Sequence, residues 1–197
     1  MIINGNEIKE KVLDDVRSLA QGTAKRVCFV QFGSDEASAA FIKMKLRVAD
    51  GLGIQADVIH KDPADTAEAL LLMGEIIEKN YDGIVVQLPL PQHLDTDLII
   101  DSIPTEMDID ILSEDAKAHY RAATTERVAP VAGAVQEILW ENKIILIGKK
   151  IAVLGRGKLV GEPIIMLLDR QELPYTVIDI TTPEEEKIKS IQEADVV

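Results

Sequence analysis

Short, continuous apolar runs alternate with longer segments in which apolar residues recur every three or four positions. An unbroken apolar run is typical of a strand buried on both faces, and the longer spacing is typical of an amphipathic helix. This alternation predicts a parallel sheet whose strands are connected by helices. As far as position 87, helices and strands alternate in the order helix, strand, helix, strand, helix, strand, with bounds of 5–20, 26–32, 35–51, 54–60, 65–79 and 83–87.

The pattern weakens after position 110 and then resumes. Residues 113–128 are polar and carry no strong periodicity, which predicts a boundary between domains with one short helix. From position 130 onward, the pattern predicts helices at 130–143, 160–170 and 183–192, strands at 150–154 and 175–179, and the start of a third strand at 194–197. The fold class is therefore α/β, with a parallel three-layer domain at 1–120 and a Rossmann-like domain at 121–197 that is incomplete at Val197.

Composition refines this picture of the core. Hydrophobic residues make up 47% of the 197 positions and aromatic residues only 4%, so the core is expected to be aliphatic. Cys28 lies in the apolar run RVCFVQF and is predicted to be a small buried residue. In the helix predicted at 65–79, the expected core contacts are Ala67, Leu70, Leu71 and Ile77.

Charge and cysteine content exclude several classes of function. The net charge of −13 argues against general nucleic-acid binding and against anionic membranes. The single cysteine excludes a disulfide framework, and no Cys/His set has the spacing of a metal site. No apolar run is long enough for a membrane span, and the first residues lack the features of a signal peptide. A cytoplasmic location is the expectation.

The stretch from Tyr81 to Asp110 indicates a ligand site. Gln87 lies at the end of the strand predicted at 83–87, and the prolines that follow prevent further ladder pairing. A short helix is predicted after the prolines, and Asp108 and Asp110 follow it. In open α/β sheets, ligands bind beyond the carboxyl ends of the strands. The alternative interpretation is a proline-stiffened connection with a solvated amide.

The helix predicted at 35–51 carries a second candidate. Phe41 and Lys45 are one turn apart and share a face, with Ser38 one turn earlier. Lys45 could cover apolar surface with its stem while its amine stays in water. Alternatively, it lies in a cleft where desolvation or a nearby cation lowers its pKa, so that it can transfer protons near neutral pH.

A glycine-rich turn follows the strand predicted at 150–154. Gly155, Gly157 and Gly161 have the spacing G-x-G-x-x-x-G, one residue longer than the usual dinucleotide fingerprint, and a helix follows. Glycine lets the backbone approach a diphosphate, and the helix N-terminus supplies amide donors. Glycines at a tight strand–helix turn can also serve packing alone.

Charged residues near this turn bear on the choice of cofactor. Arg156 and Lys158 add positive charge to the turn. Asp179 ends the next predicted strand, where a carboxylate accepts the ribose hydroxyls and disfavours a 2′-phosphate, which favours NAD. Arg156 could instead pair with the 2′-phosphate of NADP. Both NADP and NAD stay open, with a slight preference for NAD.

Several segments together resemble one known family. They are IINGNEI, GSDEASAAFIKMK, GIVVQLPLPQHLD, IPTEMDID, GKKIAVLGRGKLVGEP and EADVV, and their order and separations agree along the whole chain. The chain resembles the bifunctional methylenetetrahydrofolate dehydrogenase/methenyltetrahydrofolate cyclohydrolase family. The resemblance implies a folate-binding catalytic domain at 1–120 and an NAD(P)-binding domain at 121–197.

The resemblance also implies roles for individual residues. Lys45 matches the catalytic lysine, and Gln87 matches the glutamine that hydrogen-bonds it. Asp110 matches the aspartate that binds the pterin, and Phe41 occupies a substrate position that is normally tyrosine. Leu88 and Pro89 of the VQLPLP segment are also expected to contact the folate. The turn from Gly155 to Gly161 matches the phosphate loop of the cofactor domain.

The implied chemistry has two steps. A hydride leaves the methylene carbon of 5,10-methylenetetrahydrofolate for the nicotinamide, and water then opens the methenyl product to 10-formyltetrahydrofolate. The family usually forms homodimers through the cofactor domain, so a homodimer is expected, with tetrahydrofolate derivatives as the other partners.

The chain departs from the family pattern at several positions. Phe41 lacks the tyrosine hydroxyl, and Ile111 replaces a glycine, so the loop backbone is expected to differ there. Residues 128–133, Thr181 and Thr182 also differ, and family members continue beyond Val197. These departures support an alternative: a degenerate module that binds folate or a partner without turnover.

Overall fold

The protein is represented by a computed structural model that describes residues 2–20 and 22–197. The chain separates into two compact units. The first unit is Lys9–Ala116, and the second unit is Lys117–Val197 together with the chain up to Ile8. The domain bounds of 1–120 and 121–197 stay a prediction.

The first unit is built on a three-stranded parallel sheet in the order β2-β1-β3. This confirms the predicted alternation of helices and strands up to position 87. Helix α1 comes first in the chain and two helices follow the sheet. The elements are α1 (Gly5–Ala20), β1 (Arg26–Phe32), α2 (Glu36–Gly51), β2 (Gln55–Lys61), α3 (Thr66–Ile77), β3 (Gly83–Val86) and α4 (Thr96–Asp101). Helix α5 (Glu114–Arg121) begins at the end of this unit and continues into the second unit from Lys117 onward.

Helices pack on both faces of this sheet at β1 and β3, whose side chains alternate between the two faces. On one face, Val30 and Ile84 pack in a core with Met73 of α3. On the other face, Phe29 and Val85 pack with Ile42 of α2. Cys28 is fully buried, as predicted. The central strand β1 therefore holds α2 against one side of the sheet and α3 against the other.

The prediction for the core face of α3 was partly wrong. Ala67 and Leu71 are exposed, and Leu71 keeps 73% of its surface accessible. Ala69, Met73 and Ile76 form the buried stripe instead, with the three-to-four-residue spacing of one helix face. Leu70 and Ile77 pack partly against that core, as predicted. The apolar residues of α3 extend around most of the helix, so the pattern alone did not identify the buried side.

The second unit contains a parallel pair of strands with helices between them. Its elements are α6 (Pro130–Glu141), β4 (Ile151–Leu154), α7 (Gly161–Arg170), β5 (Tyr175–Ile178) and α8 (Glu184–Glu193). The strand expected at 194–197 is reduced to one parallel bridge between Val196 and Ile151. Ile151 and Val153 pack against Leu168 of α7 in a small core.

Gly83 allows the segment before Asp110 to approach β3. A Cβ at this position would lie 2.7 Å from Cγ2 of Ile109, which is closer than ordinary packing permits.

We expect Gly83→Ala to lower the free energy of unfolding by about 1–3 kcal/mol through overpacking. Urea unfolding measures the change. Gly74→Ala in α3 is the control, since a Cβ there meets nothing within 4 Å and alanine favours the helix. Equal effects of the two substitutions would contradict this explanation.

Candidate functional site

Lys45 and Asp110 lie together in the first unit. The Nζ of Lys45 is 3.9 Å from Oδ2 of Asp110, and both side chains are half-buried. Helix α2 positions Lys45, and this helix begins where the Asp35 carboxylate accepts the Ser38 N–H at 2.6 Å. The two residues are 65 positions apart in the sequence, so the fold brings a helix and a loop together to make the pair.

Asp108 anchors the loop that carries Asp110. Residue 108 forms a parallel bridge with Ile84, so the chain returns beside β3. The Asp108 carboxylate is almost fully buried and accepts hydrogen bonds from the Leu112 N–H at 2.9 Å and from Ser113. Both the N–H and the Oγ of Ser113 donate, each at 2.8 Å. The buried Asp108 carboxylate therefore stabilises the turn, and no pattern in the sequence indicates its partner Ser113.

Burial raises the pKa of the Asp110 carboxyl above its ordinary value. The charge of Asp108 acts in the same direction, and the Lys45 ammonium acts against both. Desolvation favours the neutral form of a carboxyl, whereas a nearby cation favours the charged form. Asp110 therefore binds a proton at a higher pH than an exposed aspartate does.

Ile111 occupies a left-handed backbone conformation. Its φ is +54°, and its side chain is almost fully buried. A β-branched residue in this region costs about 1–2 kcal/mol relative to the right-handed region, whereas glycine adopts it freely. The loop after Asp110 therefore takes a conformation suited to glycine, although isoleucine stands there.

Gln87 begins the loop after β3 and is held at two points. Its N–H donates to the Val30 carbonyl at 2.8 Å, and its Nε2 donates to the Leu88 carbonyl at 2.8 Å. Its Oε1 is buried and has no hydrogen-bond partner within residues 2–20 and 22–197. A buried acceptor without a partner is costly, and such atoms commonly meet a bound ligand or water.

A second buried polar atom without a partner belongs to Ser38. Its Oγ has no hydrogen-bond partner in the described part of the chain, although the residue is 2% exposed. Phe41, one turn further along α2, is exposed to 53%. The Nζ of Lys45 lies 6.0 Å from the Phe29 ring centroid. The sequence placed Ser38 on the face of Lys45 but gave no reason to assign it a function.

The proline-rich loop after Gln87 packs closely on the end of β1. Leu88 is half-buried, Pro89 is exposed, and the bond between them is cis. A Cβ on Gly33 would lie 2.7 Å from Cγ of Pro91, and the φ of Gly33 is +78°. Gly33 is therefore required for this approach, which fixes the loop that carries Gln87, Leu88 and Pro89.

The turn between β4 and α7 forms a compact loop in the second unit. Gly155 has a φ of +90°, and its N–H donates to the Ile178 carbonyl at 2.7 Å. A Cβ on Gly161 would lie 2.2 Å from the Gly155 carbonyl oxygen, so the two ends of the loop touch. Around Gly157 there is open space where a Cβ would meet nothing within 4 Å.

The charged residues of this loop lie beside the end of β5. The Nε of Arg156 is 3.6 Å from Oδ2 of Asp179, and Arg156 is largely exposed. Oδ1 of Asp179 accepts hydrogen bonds from Thr181, through its Oγ1 at 2.6 Å and its N–H at 2.9 Å. These bonds from Thr181, with a smaller contribution from Arg156, hold the pKa of Asp179 below its ordinary value. Lys158, at the far side of the loop, is half-buried.

The two units thus contain different kinds of site. The first unit has a lysine–carboxylate pair near the carboxyl ends of a parallel sheet, and the second has a glycine loop that leads into a helix. In α/β proteins of this class, ligands bind at such places, beyond the carboxyl ends of parallel strands and at the start of a helix that follows a glycine loop.

Comparison with known proteins identifies the family. Residues 3–110 match the model of the tetrahydrofolate dehydrogenase/cyclohydrolase catalytic domain, and residues 129–197 match that of the NAD(P)-binding domain. The chain therefore belongs to the tetrahydrofolate dehydrogenase/cyclohydrolase family. This confirms the resemblance found in the sequence.

Individual relatives agree with this assignment. The bifunctional protein FolD of Mycoplasmopsis synoviae is 33% identical over the whole chain, which covers 72% of that protein. FolD of Lactobacillus acidophilus is 31% identical over 88% of the chain, which covers 61% of that protein. The crystal structure of the Trypanosoma brucei enzyme, complexed with NADP cofactor and inhibitor, matches with a TM-score of 0.89 and 26% identity. That match covers the whole chain and 70% of the trypanosome chain.

Proposed function

We propose that this chain oxidises 5,10-methylenetetrahydrofolate to 5,10-methenyltetrahydrofolate with NAD(P) and hydrolyses that product to 10-formyltetrahydrofolate. The observation that carries the proposal is the Lys45–Asp110 pair, at 3.9 Å, within the segment that matches the catalytic-domain model. The second unit supplies the glycine loop that an oxidation with NAD(P) requires.

Lys45 transfers protons in the hydrolytic step. Water adds to the methenyl carbon, and Nζ of Lys45 accepts the proton that this water loses. The bond from that carbon to N5 then breaks as the hydroxyl oxygen forms the formyl C=O and releases its proton to water, while the ammonium of Lys45 protonates N5. A lysine on a rigid helix suits this role because general acid–base catalysis depends on a fixed distance to the reacting group.

Asp110 and Gln87 bind and orient the folate. An ionised Asp110 can accept two parallel hydrogen bonds from the amide N–H and the amino group of the pterin. The Oε1 of Gln87, which has no partner in the described part of the chain, is available to a donor such as the Lys45 ammonium or the substrate. Phe41, Leu88 and Pro89 provide apolar surface for the aromatic parts of the folate.

The loop of the second unit fits a dinucleotide. The open space around Gly157 and the N-terminus of α7 suit a diphosphate, with Gly155 and Gly161 giving the loop its tight form and Arg156 and Lys158 adding positive charge. The bound dinucleotide supplies the acceptor for the hydride. Asp179 would bind the ribose hydroxyls of its adenosine half.

Asp179 makes NAD the preferred cofactor over NADP in this proposal. Its carboxylate has a lowered pKa and stays ionised at neutral pH, so it repels a 2′-phosphate. We expect Asp179→Asn to raise kcat/KM for NADP by about 10-fold, because one like charge near the phosphate is removed. Steady-state kinetics with both dinucleotides measure the ratio, and Asp169→Asn, at the end of α7, is the control. A wild-type preference for NADP would contradict this role.

Activity with methylenetetrahydrofolate tests the function directly. The protein should reduce NAD or NADP when this folate is added and should hydrolyse methenyltetrahydrofolate without a dinucleotide. Calorimetry should show folate binding under the same conditions. Folate binding without either reaction would instead support a binding module that has lost turnover.

A homodimer in the cytoplasm completes the proposal. In the second unit, Trp140, Ile145 and Ile147 are at least 69% exposed and form an apolar surface around the end of α6. Surfaces of this kind commonly mark protein interfaces.

Cys28 is buried and unpaired, which suits a reducing compartment. None of the described helices combines the length and apolarity that a membrane crossing requires.

The dimer has its own test. Sedimentation of the wild-type protein should give twice the chain mass, and Trp140→Glu should shift it toward one chain mass because a charge is placed in the apolar surface. Ile180→Glu, at another exposed apolar position, should leave the mass unchanged. A monomeric wild-type protein would contradict the dimer.

A further inference from the structure

Three charged side chains of the second unit meet at the start of α7. The Nζ of Lys117 is 3.0 Å from Oε2 of Glu162, and Nη2 of Arg121 is 3.2 Å from Oε1. Lys117 is only 4% exposed, whereas Arg121 is 43% exposed. Both cations belong to α5, one turn apart, and Glu162 is the second residue of α7. The carboxylate therefore has one buried and one exposed cationic partner.

Glu162 is part of the glycine loop as well as of the helix. Its N–H donates to the Gly157 carbonyl at 3.1 Å, so its backbone fixes the middle of the loop. The residue before it, Gly161, touches the Gly155 carbonyl. A change in the position of Glu162 therefore also moves the backbone of the glycine loop.

A carboxylate at this position has two opposing effects. It interacts favourably with the positive end of the helix dipole. However, it also reduces the positive potential that the same helix end offers to a diphosphate. The charges of Lys117 and Arg121, both of which pair with Glu162, oppose this loss.

Of the two cations, Lys117 has the larger expected effect. Exposed ion pairs contribute little because water and salt screen them. A buried lysine, in contrast, interacts strongly with its partner and cannot be replaced by solvent. The ammonium group of Lys117 is buried beside the glycine loop, and none of the catalytic steps above uses it.

We propose that Lys117 is a positioning residue for the dinucleotide. It neutralises the Glu162 carboxylate and holds it in place, and it thereby fixes the loop backbone at Gly157 and the electrostatic potential at the start of α7. This proposal rests on the proposed function, because it assigns the diphosphate of NAD(P) to that loop. It adds a residue outside the glycine loop that determines how tightly the dinucleotide binds.

Lys117→Met tests the proposal, since methionine keeps the length of the side chain and removes the charge. We expect the KM for NAD, and the Kd for NAD measured by calorimetry, to rise by about 10-fold, with kcat changed less than about threefold. Hydrolysis of methenyltetrahydrofolate should stay at the wild-type rate. Lys150→Met, which removes a lysine from an exposed pair with Glu193, should leave all these values unchanged.

The double variant Lys117→Met/Glu162→Gln separates charge from packing. Once the charge of the Glu162 carboxylate is also removed, the Kd for NAD should return to within about threefold of the wild type. An unchanged Kd in Lys117→Met would overturn the proposal, as would a loss that the double variant does not restore. Lys117→Arg, which keeps the charge, should retain binding if Lys117→Met proves poorly folded in thermal unfolding.

Failure of this proposal is distinguishable from failure of the proposed function. If the wild-type protein binds NAD but Lys117→Met binds it equally well, only the role of Lys117 is wrong. If the wild-type protein neither binds NAD nor oxidises methylenetetrahydrofolate, the proposed function itself is wrong.

Discussion

Lys45→Met is expected to reduce the rate of methenyltetrahydrofolate hydrolysis by at least about 100-fold, because a positioned acid–base group contributes about 10²–10⁴ to such a rate. Methionine preserves the length and apolar stem of lysine, so the helix and its packing stay intact. The amine that lies 3.9 Å from Asp110 is lost, and with it the group that accepts a proton from the attacking water. The rate is measured as the disappearance of the methenyl compound without any dinucleotide.

Lys43→Met provides the matched control for this prediction. Lys43 lies on the same helix, two residues earlier, and its side chain is exposed. This substitution should leave hydrolysis within about twofold of the wild type, since surface changes rarely have large effects. If the two variants hydrolyse the methenyl compound equally well, Lys45 is not the base.

Gly161→Ala should nearly abolish the dehydrogenase reaction while leaving hydrolysis intact. A Cβ at Gly161 would lie 2.2 Å from the Gly155 carbonyl oxygen, 2.8 Å from its carbon and 3.1 Å from Cα of Arg156. All three atoms belong to the backbone, so no side-chain rotation can relieve the clash and the loop must move. We expect kcat/KM for NAD to fall by roughly 100-fold, the equivalent of about 3 kcal/mol of overpacking.

Gly133→Ala is the control for the loop variant. Gly133 lies in α6, where an added Cβ would meet Val128 at an ordinary 3.6 Å. Its dehydrogenase activity should match the wild type. The measurement is NAD reduction at several dinucleotide concentrations, together with methenyl hydrolysis of the same preparations. Loss of hydrolysis in Gly161→Ala would show that the effect is general unfolding and not a defect of the loop.

Strand and helix positions followed from the sequence because burial on both faces leaves an unambiguous pattern. Strands β1 and β3 contain the apolar runs VCFV and IVV at the centre and edge of the sheet. Strand β1 has the predicted bounds, and β3 ends at Val86, one residue before the predicted end. The errors arose where the pattern was ambiguous. In α3, Leu70, Leu71 and Leu72 are adjacent, so only packing against the sheet decides that Leu71 faces solvent.

The candidate site was predictable in part. Lys45, Gln87 and Asp110 were predicted from their positions on a helix and beyond a strand together with the family resemblance, and the fold brings Lys45 and Asp110 together. Contacts between distant residues leave no local pattern. The bonds of Asp108 to Ser113 and the pairing of Lys117 with Glu162 depend on the tertiary structure, so the sequence did not indicate them.

Ile111 shows how a departure from the family pattern can be accommodated. The sequence predicted a changed backbone where isoleucine replaces glycine. That change stays a prediction; in this chain Ile111 has a left-handed φ of +54° and a buried side chain. Burial of a large apolar side chain is worth about 1.5–3 kcal/mol, which offsets the strain of about 1–2 kcal/mol. The loop that carries Asp110 therefore needs no glycine after it.

Transfer of a labelled hydride tests the central claim most directly. The protein is incubated with NAD and 5,10-methylenetetrahydrofolate that carries deuterium on its methylene carbon, and the reduced dinucleotide and the folate products are analysed by mass spectrometry. We predict deuterium in the reduced dinucleotide and accumulation of 10-formyltetrahydrofolate, with the methenyl compound accumulating instead in Lys45→Met. Reduced dinucleotide without deuterium, or none at all with either NAD or NADP, would contradict the proposed function.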